Sequence, residues 1–69
     1  MERKPVDSSN IANVGYDQDS MVLEVEFHNG SVYQYFDVPS HVYEELVSAE
    51  SVGRFFNMQV KGSFRYARI

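Results

Sequence analysis

The sequence predicts an α+β domain, in which a three-stranded antiparallel β-meander is followed by two short helices packed on one face of the sheet. Three observations favour this fold. Apolar and polar residues alternate through two N-terminal segments, the dipeptide Asn29-Gly30 separates the second segment from a third, and the apolar spacing becomes helical after Pro39. We expect the helices to cover the apolar face of the sheet, because no other part of the chain can do so.

The three strands are predicted from alternation and from β-branched and aromatic content. Ile11–Asp17 alternates apolar and polar residues and is followed by a polar turn at 17–20. Met21–His28 is the clearest strand, since its Met, Leu, Val and Phe residues fall on one face and its glutamates on the other. Ser31–Phe36 is rich in aromatic and β-branched residues and returns alongside it. Short links between the three strands predict a meander.

The helices are predicted from the residues that follow the third strand. Pro39 suits the first turn of a helix, and Val42 and Leu46 form an apolar stripe at helical spacing. A second helix is expected from about Ser51 to Val60, and Gly62 is a plausible end signal. The predicted core consists of Val14, Leu23, Val25, Phe27, Val42, Leu46, Phe55, Phe56 and Val60.

The length of 69 residues allows a single domain, 1–69. We expect its structured part to run from about 6 to 60. The two ends, 1–5 and 63–69, are expected to be flexible, although the tail SFRYARI is compatible with a short extended segment.

The turn after the second strand decides where the tyrosines of the third strand point. A two-residue Asn29-Gly30 loop would place Tyr33 and Tyr35 on the outer face and Gln34 in the core. A three-residue loop that includes His28 shifts the register by one, so that the tyrosines face the core and Gln34 faces outward. Polarity favours the three-residue loop, because an unsatisfied buried amide costs about 1–3 kcal/mol. Exposed strand tyrosines would be able to stack on nucleobases, whereas buried ones belong to the core.

Composition argues against catalysis and against an extracytoplasmic location. The chain has no Cys, so disulfides and thiolate metal sites are not possible. Its only imidazoles, His28 and His41, show no metal-binding spacing, and there is no phosphate-binding loop or nucleophile motif. No apolar run approaches the length of a membrane span. We therefore expect a cytoplasmic protein that is not an enzyme and uses no cofactor and no metal.

Charge is segregated along the chain, whose formal net charge is −4. There is no Lys or Arg between Pro5 and Gly53, and there is no Asp or Glu from Arg54 onward. The basic residues of the C-terminal part, called the basic strip below, are Arg54, Lys61, Arg65 and Arg68. Two interpretations remain open: the strip binds phosphate, or it folds back onto the acidic residues of the same domain.

The order of short motifs in this chain resembles the KTSC domain family, which is named for the C-terminal extension of certain lysyl-tRNA synthetases and also includes free-standing small bacterial proteins. The motifs are VDSSNI, VGYD, LEVEFHNG, VYQY, VP followed by VYEEL, and GRFFN. They span about Val6 to Val60 and include a central Tyr-x-Tyr, here Tyr33-Gln34-Tyr35. The resemblance implies a stand-alone domain of unknown function for which RNA binding has been suggested by the synthetase context, and it implies no catalytic residues.

Two functional hypotheses follow. In the first, the chain is an RNA-binding module, with tRNA as a candidate ligand. The basic strip would contact phosphates, and Tyr33 or Tyr35 would stack on bases.

The second hypothesis is a protein-interaction module. It would use the sheet face around Val22, Val32 and Phe36, or a free strand edge that pairs with a foreign strand or with a second copy in a homodimer.

Overall fold

The computed structural model describes residues 1–69 as a five-stranded antiparallel sheet with a helical layer on one face. Strand order in the sheet follows the chain. The elements are β1 (Arg3–Pro5), β2 (Ile11–Asp17), β3 (Val22–Phe27), β4 (Val32–Tyr35), α1 (Ser40–Ser48), α2 (Val52–Phe55), a π-helical segment (Phe56–Val60) and β5 (Tyr66–Arg68).

The meander and the helices are confirmed, but the predicted number of strands is too small. β1 pairs with β2 at one edge of the sheet, and β5 pairs with β4 at the other. Both added strands have three residues, which is too short for alternation to be recognised. They lie within the ends 1–5 and 63–69, which the sequence predicted to be flexible. Backbone hydrogen bonds to a neighbouring strand hold them in place, and a local sequence pattern does not encode such pairing.

The loop between β3 and β4 is the three-residue alternative, His28-Asn29-Gly30. The backbone N–H of Phe27 donates to the carbonyl oxygen of Ser31 at 2.9 Å, so these two residues close the loop. Gly30 has a φ of 92°, which residues with a side chain rarely adopt. The side-chain oxygen of Asn29 accepts hydrogen bonds from both the backbone and the hydroxyl of Ser31. The favoured alternative is thus confirmed.

This register places the β4 tyrosines on the helix-covered face. Tyr33 lies opposite Val25 and Tyr35 lies opposite Leu23, while Gln34 faces outward. On the outer face the Gln34 amide donates a hydrogen bond to Glu24 at 2.9 Å. The amide is thus satisfied, whereas the shorter loop would have buried it in the core without a partner.

The second helical segment begins as predicted but changes type midway. The hydroxyl of Ser51 accepts a hydrogen bond from the Arg54 backbone N–H at 3.2 Å and caps α2. From Phe56 onward the helix widens, and the Lys61 N–H donates to the Phe56 carbonyl oxygen at 2.9 Å. The predicted helix at 51–60 is therefore an α-helical turn followed by a π-helical one. Wide turns of this kind often occur at functional sites.

The core lies between the sheet and the helices. Six of the nine predicted core residues are buried, while Phe27, Val42 and Phe55 are half-buried. The full buried set is Ile11, Val14, Leu23, Val25, Tyr35, Val38, Leu46, Val52, Phe56 and Val60. None of the helices has the length and apolar character that crossing a membrane requires.

A polar network covers the outer face of the sheet. Arg3 reaches from β1 to Glu24 at 3.2 Å and to Glu26 at 3.8 Å. The Asn13 amide donates to Glu26 at 2.8 Å, and Gln34 completes the network at Glu24. The side chain of Glu24 is consequently only 12% exposed. One arginine and two amides thus hold two neighbouring carboxylates against the sheet.

Candidate functional site

Five aromatic rings form a closed circuit on the helix-covered face, next to the edge strand β5. Tyr33 meets Phe27 edge to face at 5.8 Å between ring centroids, and Phe27 meets Phe56 at 5.6 Å. Phe56 meets Tyr35 at 5.4 Å, and Tyr66 closes the circuit at 5.7 Å from Tyr35 and 5.9 Å from Tyr33. Edge-to-face and tilted pairs at these distances are favourable, so the circuit is a stable element of packing.

The circuit borders an open cleft of about 600 Å³, called the aromatic cleft below. Phe56 of the helical layer packs against Tyr35, whereas all three residues of β5 are exposed. Tyr35 is only 5% exposed, whereas Tyr66 is 61% exposed. The twelve lining residues are Ser9, Asn10, Phe27, His28, Asn29, Ser31, Tyr33, Tyr35, Phe56, Asn57, Lys61 and Tyr66.

No carboxylate lines the aromatic cleft, although the chain contains ten acidic residues. Lys61 is the one full positive charge among the lining residues, and the rim otherwise carries amides and hydroxyls. Arg68 is the cross-strand partner of Tyr33 on β5, so its side chain emerges on the same face of the sheet. The local charge at this site is therefore opposite in sign to the net charge of the protein.

The tyrosine hydroxyls of the aromatic cleft are free of internal partners. The one tyrosine hydroxyl that hydrogen-bonds within the chain is that of Tyr16, which donates to the Val38 carbonyl oxygen. Burial raises the pKa of the Tyr35 phenol, and the neighbouring phenols of Tyr33 and Tyr66 raise it further. The cleft thus presents phenol groups that can donate and accept hydrogen bonds.

The structure brings together four of the six predicted site residues. Tyr33, Tyr35 and Lys61 line the aromatic cleft, and Arg68 stands beside Tyr33. Tyr35 forms the floor with most of its ring covered, so Tyr33 is the more accessible of the two strand tyrosines.

The other two members of the basic strip lie elsewhere. Arg65 pairs with Asp37 at 3.0 Å and lies over the Phe36 ring at 5.7 Å, although this ion pair is largely exposed and contributes little stability. Arg54 lines a second groove, which does not include Lys61 or the aromatic rings. The interpretation that the strip folds back onto the domain therefore applies to Arg65, which contacts an acid of the domain, whereas Lys61 forms no ion pair.

The predicted site residues did not include Tyr66, which completes the aromatic cleft, although aromatic and basic residues interleave in this tail. They also did not include the amides Asn10 and Asn57 on the rim. Tyr66 stands in the tail, and only its pairing with β4 brings it over Tyr33 and Tyr35. The position of Tyr66 between Arg65 and Arg68 is the feature of the sequence that indicates such a role, because exposed aromatic residues interleaved with basic ones are typical of nucleic-acid contacts.

The structure contains no group of three or more His, Asp or Glu placed to hold a metal ion.

Comparisons with known proteins give one consistent family. The family model for the KTSC domain matches residues 7–64. In the solved structures, a KTSC domain protein from Yersinia pestis superposes with a TM-score of 0.93 at 43% sequence identity, covering 99% of this chain and 96% of that protein. A protein of Stutzerimonas stutzeri described only as uncharacterized is 43% identical over 70 residues, which cover 100% of this chain and 99% of its own length.

The same region occurs within much longer proteins. A lysine–tRNA ligase of Nostoc punctiforme is 41% identical over 63 residues, which cover 91% of this chain but only 11% of the ligase. A lysine–tRNA ligase of Trichormus variabilis matches to the same extent. The sequence resemblance is thereby confirmed over nearly the whole chain, and this protein belongs to the KTSC domain family.

Proposed function

We propose that the chain is a non-catalytic RNA-binding module whose aromatic cleft takes an unpaired nucleotide. The observation that carries the proposal is the character of the cleft: five aromatic rings and Lys61, without a carboxylate, in a chain that is acidic overall. Stacking of a base on an aromatic side chain contributes about 1–3 kcal/mol, and Lys and Arg supply the phosphate contacts. A base in a duplex has both faces covered, so the ligand is unpaired.

The position of the acidic residues is compatible with this function. Glu24 and Glu26 lie on the outer face of the sheet, where Arg3 contacts both. Glu44 and Glu45 lie on α1, which does not line the aromatic cleft. At physiological ionic strength exposed charges are screened over about 8 Å, so distant carboxylates repel a phosphate only weakly.

The related proteins suggest which RNA to test first. Regions similar to this chain occur in lysine–tRNA ligases, whose names identify tRNA as their substrate. We therefore extend the proposal to tRNA as a candidate ligand of this domain.

The proposal is tested by titrating ¹⁵N-labelled protein with tRNA and with a short single-stranded RNA at low salt. We expect amide shifts at Tyr33, Asn57, Lys61 and Tyr66, and their reversal as salt is raised. Absence of shifts at low salt would contradict RNA binding. Shifts confined to the free edges of β1 and β5 on raising the protein concentration would favour self-association instead.

A matched pair of variants assigns the binding to the aromatic cleft. Lys61→Gln removes the positive charge at the cleft, whereas Lys4→Gln removes the same charge from the exposed edge strand β1. Lys61→Gln is expected to weaken RNA binding by about three- to tenfold, because one phosphate contact is lost. Lys4→Gln is expected to weaken it by much less. Equal effects of the two substitutions would show non-specific attraction to the chain.

A further inference from the structure

A second groove, of about 580 Å³, adjoins the aromatic cleft and differs from it in charge. The two share Ser9, Asn10 and Asn57, which form a polar rim between them. The residues that line the second groove alone are Asp7, Ser8, Glu50, Ser51, Gly53, Arg54 and Met58. A ligand that occupies the aromatic cleft can therefore extend over the rim into a polar groove with a single apolar lining residue.

The rim is held in a defined position by the loop before β2. The hydroxyl of Ser8 accepts hydrogen bonds from the backbone N–H groups of Asn10 and Ile11, both at 3.2 Å. The Ser8 carbonyl oxygen lies 2.8 Å from the His28 ring nitrogen Nε2, which ties the loop to the β3–β4 turn. On the other side Gly53 allows close approach, since a Cβ there would lie 3.2 Å from the Ser8 hydroxyl. The side chains of Ser9 and Asn10 remain exposed beside the aromatic cleft.

The charges of the two sites would orient a nucleotide. The aromatic cleft carries Lys61, and Arg68 stands next to it, so a phosphate is favoured on that side. The second groove contains two carboxylates, Asp7 and Glu50, against the single guanidinium of Arg54. A second phosphate would face net negative charge there, whereas hydroxyl groups would find carboxylate, amide and hydroxyl acceptors.

We propose, on the basis of the function proposed above, that the aromatic cleft binds the 3′-terminal nucleotide of an RNA. The base lies among the aromatic rings, and its 5′ phosphate lies toward Lys61 and Arg68. The free 2′,3′-diol of the ribose points over the rim into the second groove, toward Asp7 and Glu50. An internal nucleotide carries a phosphate on both sides of its ribose and would place one of them in the acidic groove.

The test compares RNA ends that differ by a single group. Fluorescence anisotropy is measured with one short single-stranded RNA, labelled at its 5′ end and ending either in a 3′ hydroxyl or in a 3′ phosphate. We expect the 3′-phosphorylated RNA to bind about tenfold more weakly, because like charges facing each other oppose binding.

Paired charge variants identify the source of the discrimination. Replacing the two groove carboxylates in the double variant Asp7→Asn/Glu50→Gln is expected to abolish the difference between the two RNAs. The control double variant Glu44→Gln/Glu45→Gln makes the same change in net charge on the exposed face of α1 and should preserve it.

The outcomes separate this inference from the proposed function. Equal affinity for the two RNAs, or discrimination that survives in Asp7→Asn/Glu50→Gln, would overturn the 3′-end assignment and leave RNA binding standing. Failure of both RNAs to bind would overturn RNA binding and the end assignment together.

Discussion

Gly15 lies within β2 at the point where the side chain of Arg3 crosses the outer face of the sheet. A Cβ at this position would lie 2.7 Å from the Glu2 carbonyl oxygen and 2.9 Å from Cγ of Arg3. The missing side chain thus gives β1 its close approach and allows Arg3 to reach Glu24 and Glu26. Glycine is required here because its neighbours are so close. Its backbone conformation is that of an ordinary strand and would accept any residue.

Gly15→Ala is expected to destabilise the protein by about 1–3 kcal/mol, because the added methyl group overlaps backbone that cannot move without separating β1 from β2. The free energy of unfolding from urea titration measures the loss, and amide shifts should concentrate in 2–5. Gly53→Ala is a useful comparison, because the nearest contact there is the movable Ser8 hydroxyl at 3.2 Å. Unchanged stability of Gly15→Ala would show that β1 is not held against β2 as described.

The pKa of Tyr35 is raised by burial and by the adjacent phenols of Tyr33 and Tyr66. In the unfolded chain this phenol ionises near its ordinary pKa, which is about 10. The folded state holds the proton of Tyr35 more tightly than the unfolded chain does. The stability that comes from this difference is fully present below about pH 10, and it is lost as the pH rises through the raised pKa of the folded state.

We therefore expect the free energy of unfolding to fall at alkaline pH, from about pH 10 upward. The variant Tyr35→Phe should show a shallower fall, because its buried ring has no proton to lose. Urea titrations of both proteins across this range measure the difference, and ultraviolet absorption of the phenolate locates the ionisation. Identical pH profiles for the two proteins would show that Tyr35 ionises as it does in the unfolded chain.

At the scale of elements, the β3–β4 loop determines which face of β4 reaches the aromatic cleft. The three-residue loop places Tyr33 on the same face as Phe27 and Phe56, and a two-residue loop would have placed Gln34 there. Gly30, with its φ of 92°, gives the loop this length. The choice was predictable from the sequence because the alternative buries an amide.

Gly30→Ala is expected to cost about 1–2 kcal/mol of stability, because a Cβ disfavours positive φ. No heavy atom lies within 4 Å of such a Cβ, so crowding does not contribute. Gly30→Asn is the matched control, since asparagine is several-fold enriched among the residues with positive φ, and it should cost clearly less. The free energies of unfolding of the two variants test the interpretation. Equal losses of stability in the two variants would contradict the interpretation that backbone strain is the cause.

The edge strands are the elements that the sequence did not specify. β1 and β5 have three residues each and include Pro5 and exposed basic residues, which are features that limit edge-to-edge association. β5 nevertheless brings Tyr66 and Arg68 to the aromatic cleft. The family model ends at residue 64, before this strand begins. Of the two residues that β5 contributes, the sequence predicted Arg68 as a site residue but not Tyr66, and it did not predict the strand that positions both.

At the scale of the whole molecule, charge is divided between the surfaces. The outer face of the sheet holds Glu24 and Glu26, and α1 carries Glu44 and Glu45, while Lys61 lines the aromatic cleft and Arg68 stands beside Tyr33. Net charge therefore gives a poor guide to the character of the aromatic cleft, since its lining residues include one positive charge and no carboxylate.

The proposed RNA complex should depend on salt only moderately. Two phosphate contacts, from Lys61 and Arg68, predict a slope of about −1.4 for the logarithm of the association constant against the logarithm of salt concentration. Lys61→Gln should reduce the slope to about −0.7, because one contact is lost. Anisotropy titrations at several salt concentrations measure both values. A much steeper slope would mean that the whole basic strip contacts the RNA.

The sequence by itself determined the meander, the helical layer, the three-residue loop and the family. These depend on which face of an element is apolar, and that information is present in the spacing of neighbouring residues. Only the tertiary structure decided that the chain ends form edge strands and that Tyr66 joins Tyr33 and Tyr35 in one cleft. It also decided that Arg65 contacts Asp37 while Lys61 remains available. A three-residue strand has no recognisable period, and its neighbours are set by pairing between distant parts of the chain.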